Sequence, residues 1–221
     1  MRDDYLLDDL DTIPDPIQLS SDALNEYRRL MIDIKTRSEF IEQFDTSLPH
    51  HIGWLESVCL QIRKILENIA YACLVANGQH MPNRIRRKYN PDEILSKLDQ
   101  VIPGCWPEPV LANKPEPTAR RHPQDAGTID TRPSGDWLIR AELPEIYGRL
   151  GDLLHNRNPL RSSYNDINYF ITRLPKWHHR IRRLLTKHKI AIIREEEMYL
   201  VQISPNGVTI TPFVRIGPTS L

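Results

Sequence analysis

The strongest chemical pattern in the sequence is a polar cluster between Tyr147 and Pro159, YGRLGDLLHNRNP. It places a histidine, two arginines and two asparagines at and beyond the end of an apolar stretch. An imidazole has an unperturbed pKa of about 6.5, so it exchanges protons near neutral pH. A guanidinium presents a planar fork of donors to a phosphate. Metal-independent RNA cleavage needs these groups: a base for the ribose 2′-hydroxyl and a cation for the charge at phosphorus.

The members of this cluster have two expected roles. The candidate catalytic residues are Arg149 and His155, as the phosphate-binding cation and the proton-transfer group. The candidate substrate-binding residues are Asn156, Arg157 and Asn158, because amides can hydrogen-bond a ribose or orient the imidazole and Arg157 can hold a phosphate. His155 also has a structural interpretation: near a helix C-terminus the dipole favours a charged histidine, which often acts as a cap. Both interpretations stay open on the sequence alone.

The spacing of the two candidate catalytic residues sets a geometric condition. On a regular helix, six residues separate Arg149 and His155 by about 120° in azimuth and about 9 Å in height. They meet at one phosphate if the helix begins late, if it bends near Gly148 and Gly151, or if a second protomer completes the site. Each glycine costs the helix roughly 1 kcal/mol relative to alanine, so we expect a close approach of another chain to explain them.

The element that must position these residues is a long amphipathic helix predicted over residues 52–77. At about 1.5 Å per residue it crosses a whole small domain. Polar side chains interrupt its apolar content, so it is not a membrane span, and Gly78 follows as a C-cap. Arg63 and Glu67, one turn apart, are interpreted as a solvated ion pair on its outer face. Its apolar face is Leu55, Val58, Cys59, Ile62, Ile65, Leu66, Ile69, Ala72, Cys73 and Ala76.

Periodicity elsewhere predicts a mainly α protein: a helical bundle with a small C-terminal antiparallel β-meander. Further helices are expected over 21–44, 91–102, 142–158 and 164–188, and strands over 190–193, 198–204 and 208–213. The predicted organisation is an acidic arm (1–19), a bundle (20–189) that contains an irregular proline-rich loop (113–135), and the meander (190–221).

The charge distribution and the cysteine content indicate which partners and which cellular compartment to expect. Net charge is zero, but residues 1–15 hold six Asp, and residues 173–189 hold seven Lys and Arg with no acid. The outward basic face of this last stretch, Lys176, Arg180, Arg183 and Lys187, is either simply solvated or a track for RNA phosphates. Three cysteines are expected to be buried thiols in a reducing compartment. Because no apolar leader or span is apparent, we expect a cytoplasmic protein without a membrane partner.

Most familiar sites are missing from the sequence. The glycines are scattered, so no phosphate-binding loop is predicted, and no CxxC or HExxH motif is present. Cys59 and Cys73 lie about four turns apart, too far to share a metal ion. We therefore expect neither a metal nor another cofactor.

Arg149-x5-His155, behind the helix LESVCLQIRKILENIAYACLVAN, resembles the HEPN superfamily, whose hallmark is an Arg and a His four to six residues apart. The resemblance implies a bundle of four or five helices, usually dimeric, with the motifs of both protomers in one cleft. Many members are ribonucleases of toxin–antitoxin or antiviral systems, and many others have lost activity. Only Arg149 and His155 carry over. Where the family usually has a polar residue after the Arg, this chain has Leu150.

Three functional hypotheses follow from the sequence. The first is a HEPN-like, metal-independent ribonuclease, a homodimeric toxin or defence effector with RNA as substrate and an antitoxin or other protein as partner. The second is a non-catalytic HEPN-like module that binds a protein or a nucleotide in the same cleft. The third is a bundle whose β-meander recruits a second protein by strand addition.

Overall fold

The computed structural model describes residues 20–43, 52–78, 81–114, 128–131, 135–155, 167–190 and 197–214. Within them the protein is mainly α with a C-terminal antiparallel sheet, as predicted. The helices are α1 Ser21–Glu42, α2 Ile52–Asn77, α3 Asn83–Arg86, α4 Pro91–Val101, α5 Leu143–Leu154 and α6 Ile167–Leu185. The strands are β1 Glu108–Lys114, β2 Thr128–Thr131, β3 Lys187–Ile190, β4 Glu197–Ser204 and β5 Gly207–Val214.

Helix α2 is the centre of the bundle, with the bounds that the sequence predicts. It packs against α1, α4, α5 and α6. Every residue of the predicted apolar face is buried, which confirms that prediction. Because helices contact α2 on several sides, burial extends beyond that stripe to Ala70, Leu74 and Asn77. A helix enclosed in this way gains its stability from tertiary packing more than from intrinsic propensity.

Local sequence signals account for several helix starts. The Ser20 side chain accepts a hydrogen bond from the Ala23 backbone N–H at 3.2 Å and caps α1. The Asn90 side chain accepts from the backbone N–H groups of Asp92 and Glu93 at 2.9 and 3.3 Å and caps α4, with Pro91 in the first turn. These caps satisfy donors that the helix cannot pair internally.

Two helices end earlier than predicted. Helix α5 was expected to reach residue 158 but ends at Leu154, because His155 takes an extended conformation (φ −84°, ψ 139°). Helix α6 continues through Pro175 but ends at Leu185 instead of 188. There the Thr186 carbonyl accepts a hydrogen bond from the Ile203 N–H at 2.9 Å, which leads the chain into the sheet. The first strand of the predicted meander therefore begins at residue 187 and not at 190.

The sheet is larger than the predicted three-stranded meander, with the antiparallel order β2-β1-β3-β4-β5. The prediction of an irregular loop over 113–135 is wrong for residues 113–114, which belong to β1, and for residues 128–131, which form β2. The register between these two strands shifts between Val110 and Asn113, which breaks the alternation that marks a strand in a sequence. The hairpin signal at 205–207 is confirmed, since Ser204 pairs with Gly207 at the β4–β5 turn.

A buried hydrogen-bonded pair joins α1 to the sheet. The Tyr27 hydroxyl lies 2.9 Å from His188 Nε2, and His188 Nδ1 lies 2.9 Å from the Leu185 carbonyl oxygen. A carbonyl only accepts, so Nδ1 carries the proton and Nε2 accepts from Tyr27. Both residues are almost completely buried. Burial lowers the pKa of His188 to about 4, although the bond to Leu185 opposes this.

His178, on α6, is a second buried neutral histidine. Burial, assisted by the positive charges of Arg182 and His179, lowers its pKa to about 4. Its Nε2 has no hydrogen-bond partner within the described part of the chain. Protonating either His178 or His188 would place a cation in the core.

These two histidines predict a loss of stability in acid. The unfolded chain binds protons at a pKa of about 6.5, whereas the folded chain binds them at these positions only near pH 4. The free energy of unfolding should therefore fall as pH falls from about 6.5 to 4, by up to roughly 3 kcal/mol per buried histidine. Urea unfolding curves measured from pH 7.5 to 4.5 test this slope.

A variant without the buried Tyr27–His188 pair removes the contribution of His188 to this pH dependence. A Tyr27→Phe/His188→Leu double variant should have a shallower slope than the wild type. A flat wild-type profile, or an unchanged slope in the double variant, would contradict the account.

Candidate functional site

Arg149 lies on the exposed side of α5 beside a tyrosine of α6. Its guanidinium carbon is 5.9 Å from the centre of the Tyr169 ring, and that of Arg173 is 5.5 Å from the same ring. Both arginines are exposed, and Tyr169 is half-buried. An aromatic ring attracts cations to its face, so Tyr169 holds two guanidinium groups close together on the surface. This arrangement is named the Tyr169 surface below.

His155 is the residue that follows α5, and its side chain is exposed. Its backbone N–H donates to the Gly151 carbonyl at 3.0 Å, as a C-terminal cap does. Helix α5 is continuous through Gly148 and Gly151, so about 9 Å of axial height still separates Arg149 from His155. The structure thus places Arg149 in the middle of α5 and His155 directly after its end, both exposed, and no bend brings them together. Asn156, Arg157 and Asn158 lie outside the described residues.

A cluster of three side chains positions α5 on α2. The Arg63 guanidinium lies 3.8 Å above the centre of the Tyr147 ring, and the Tyr147 hydroxyl donates to Glu67 Oε1 at 2.9 Å. Arg63 Nε is 3.7 Å from the same Glu67 oxygen. Burial and the bond to Glu67 raise the pKa of Tyr147. Arg63 and Glu67 do pair, but the expectation of a solvated outer pair is wrong, because Tyr147 covers them.

Gly151 has a packing reason within the same chain. A Cβ atom at this position would lie 2.8 Å from Arg63 Nη1. The missing side chain therefore admits the guanidinium of the Arg63–Tyr147–Glu67 cluster, and no second chain is needed to explain this glycine. At Gly148 a Cβ atom would meet nothing within 4 Å, so packing does not explain that residue.

The predicted basic face of α6 is only partly free. Arg180, expected to point outward, is half-buried and donates to both oxygens of Glu142 at 2.7 Å and to the Trp137 carbonyl at 2.8 Å. It also lies 3.3 Å from Asp136. Burial alone would raise the pKa of Glu142, but the bonds from Arg180 lower it overall. Arg180 is thus a structural clamp, because its partners come from the segment before α5, which helix periodicity does not reveal. Lys176 and Arg183 are exposed as predicted.

Tyr169 and Arg173 are site residues that the sequence analysis missed. They stand four residues apart on α6, a spacing that brings side chains together on one helix face. The four-residue spacing of Tyr169 and Arg173 is a signal that the sequence contains. The proximity of Arg149 to Tyr169 cannot be read from the sequence, because it depends on the packing of two helices.

Three clefts in the described structure lie away from Arg149 and His155. One of about 370 Å³ lies between α1, α6 and the β4–β5 hairpin, and a second of about 260 Å³ is between α1, α2 and α6. The third, of about 360 Å³, lies between β1, Trp137, the end of α6 and the edges of β3 and β4. Within the described ranges, no three His, Cys, Asp or Glu side chains form a group that could hold a metal ion. No described helix is long and apolar enough to cross a membrane.

The two glycines of α5 give a matched prediction. Gly148→Ala should raise the free energy of unfolding by about 0.5–1 kcal/mol, because alanine restricts the unfolded chain and favours the helix. Gly151→Ala should raise it less, because its methyl group displaces Arg63. Urea unfolding of both variants, alone and combined with Arg63→Ala, measures the difference. The difference should vanish without Arg63, and its persistence there would contradict the packing explanation.

Comparisons with known proteins return no match. No protein-family model matches the sequence, and no curated protein or solved structure matches it significantly.

Proposed function

We propose that this protein is a HEPN-like, metal-independent endoribonuclease that acts as a toxin or defence effector. The observation that carries the proposal is the Tyr169 surface: two exposed guanidinium groups lie at one aromatic ring, and one of them belongs to the helix that directly precedes the exposed imidazole of His155. Arginine forks bind phosphates, and aromatic rings with arginine are common on surfaces that hold single-stranded RNA.

In the proposed reaction, His155 removes the proton from a ribose 2′-hydroxyl. The freed oxygen attacks the adjacent phosphorus, and the bond from phosphorus to the 5′-oxygen breaks. The leaving 5′-oxygen takes a proton from solvent water and His155 returns its proton to solvent, giving a 2′,3′-cyclic phosphate and a 5′-hydroxyl. Arg149 stabilises the extra negative charge on the phosphorane oxygens. Tyr169 restrains the Arg149 guanidinium, so less of its freedom is lost when phosphate binds.

We propose that the active species is a homodimer, because one helix holds Arg149 and His155 too far apart to act on one phosphate. In a dimer, Arg149 of one protomer and His155 of its partner would share a cleft, since the HEPN resemblance implies that the motifs of both protomers meet in one cleft. Asn156, Arg157 and Asn158 would contact the substrate. We place the protein in the cytoplasm, since all three cysteines are buried free thiols, and expect an antitoxin or another protein to restrain it.

The alternative function is a non-catalytic HEPN-like module that binds a protein or a nucleotide. One observation favours it: His155 has the backbone geometry of a helix cap. In this reading the Tyr169 surface holds a partner and His155 ends the helix.

Substitution of the two catalytic candidates distinguishes these functions. His155→Ala should reduce cleavage of total RNA by roughly 10²–10⁴-fold, the usual contribution of a positioned proton-transfer group. Arg149→Ala should act on the same step, so the double variant should lose far less than the sum of the two losses on a free-energy scale. Cleavage should persist in EDTA, because the reaction uses the substrate's own hydroxyl as nucleophile.

The controls are exposed residues of the same type, His179→Ala and Arg84→Ala, which should keep wild-type activity. Melting temperatures of all variants separate folding from chemistry. If wild-type protein cleaves no RNA and His155→Ala only lowers the melting temperature, the ribonuclease proposal fails and the binding module stands.

A further inference from the structure

Of the three clefts, the one at the end of α6 differs from the others in its charge. Two of its lining residues are the cations Arg183 and Lys187, and no carboxylate is among them. The other two clefts are lined in part by Glu42, which pairs with Arg182. Within the described ranges neither Arg183 nor Lys187 pairs with an acid. We name this cleft the Arg183–Lys187 cleft.

The fold explains why these two cations stand together. Arg183 lies in the last turn of α6, and Lys187 begins β3 four residues later. The helix dipole stabilises positive charge at this end, which offsets their mutual repulsion. The nearest acid of the adjoining strand, Glu108, is already occupied by Lys189 at 3.0 Å. The cleft therefore has an uncompensated positive wall.

The remaining walls are apolar and hydrogen-bonding. Pro109, Val110 and Trp137 form the apolar side. The Thr186 hydroxyl donates to the Arg182 carbonyl at 2.8 Å, so towards the cleft it can only accept. Gln202, the cross-strand neighbour of Lys187, adds an exposed amide that can donate and accept. About 360 Å³ is at the small end of the range for sites that hold small molecules.

We infer that the Arg183–Lys187 cleft binds a nucleotide, with its phosphate on the two cations and its base against the apolar wall. A phosphate alone would leave that wall in contact with water, and an uncharged ring would leave the cations unpaired. A nucleotide satisfies both sides, and its ribose or base N–H and O–H groups match the acceptor of Thr186 and the amide of Gln202. Such a ligand is either a free nucleotide or one residue of an RNA strand.

The test is isothermal titration of the full chain with AMP and with inorganic phosphate, and of the His155→Ala full chain, which should not cleave the strand, with a five-residue oligoadenylate. AMP should bind at least about tenfold more tightly than phosphate, because the apolar wall adds to the charge contacts. Arg183→Ala and Lys187→Ala should each weaken AMP about tenfold, the loss expected for one charge-assisted hydrogen bond. Lys176→Ala is the matched control, since it removes the same charge from an exposed position of α6 outside the cleft, and should leave affinity within about twofold.

The oligoadenylate identifies the source of the ligand. If it displaces AMP and binds more tightly, the cleft takes a residue of an RNA strand; if AMP binds and the oligoadenylate does not, the ligand is a free nucleotide. Arg183→Gln, which keeps hydrogen-bonding capacity without charge, replaces Arg183→Ala should that variant unfold.

Two results would overturn the inference: AMP binding no tighter than phosphate, or an Arg183→Ala/Lys187→Ala double variant that binds AMP like the wild type. The inference is independent of the proposed ribonuclease. If the protein cleaves RNA but fails the AMP test, the ribonuclease proposal stands and the nucleotide-binding inference fails. If it passes the AMP test without cleaving RNA, the nucleotide-binding inference stands and the ribonuclease proposal fails.

Discussion

The contact between Arg63, Tyr147 and Glu67 determines how the candidate site is presented. Because Tyr147 lies between a guanidinium and a carboxylate of α2, the rotation of α5 about its own axis is fixed. Leu143, Ile146 and Leu150 then face the core, and Arg149 faces outward towards α6. Gly151 is part of the same constraint, since a side chain there would collide with Arg63. A charged pair on a central helix thus fixes the orientation of another helix through Tyr147, which lies 84 positions from Arg63 in the sequence.

The Arg63–Tyr147–Glu67 contact can orient α5 because α2 is enclosed by the helices that pack around it. A half-buried arginine is expensive unless its charge is paired, and Glu67 and the Tyr147 ring together supply that pairing. On the other side of the bundle, the Tyr27–His188 bond joins α1 to the strand that follows α6. Arg180 joins the segment before α5 to α6. Each of these polar contacts links elements that are distant in sequence, and each specifies an orientation that apolar packing alone leaves less defined.

The parts of the fold that the sequence predicted are those with local causes. The face of α2, the Asn90 cap and the 205–207 turn depend on residues within a few positions of each other. The errors have non-local causes. Strand β1 is stabilised by its pairing with β3, about 80 residues later, and its shifted register hides its alternation. The last turn of α5 looked helical, but His155 leaves the helix.

The residues of the candidate site also fall into those with a local sequence signal and those that depend on tertiary packing. Arg149 and His155 were identifiable from residue type and spacing, and Tyr169 with Arg173 from a four-residue step on one helix. The juxtaposition of Arg149 with Tyr169 was not, because it requires the angle between α5 and α6. Arg180 shows the reverse case, since a charge on a helical face became a structural clamp through partners that no helical period connects to it. Residue type suggests chemistry, but packing decides which charges remain available for it.

The central claim is that Arg149 of one protomer and His155 of its partner form one ribonuclease site. Mixing Arg149→Ala protein with His155→Ala protein tests it directly, because a mixed dimer contains one site with both residues intact. The mixture should recover about a quarter of wild-type RNA cleavage at equal total concentration, since half of the dimers are mixed and each has one working site. A mixture that exchanges subunits but stays as inactive as either variant alone would contradict the claim.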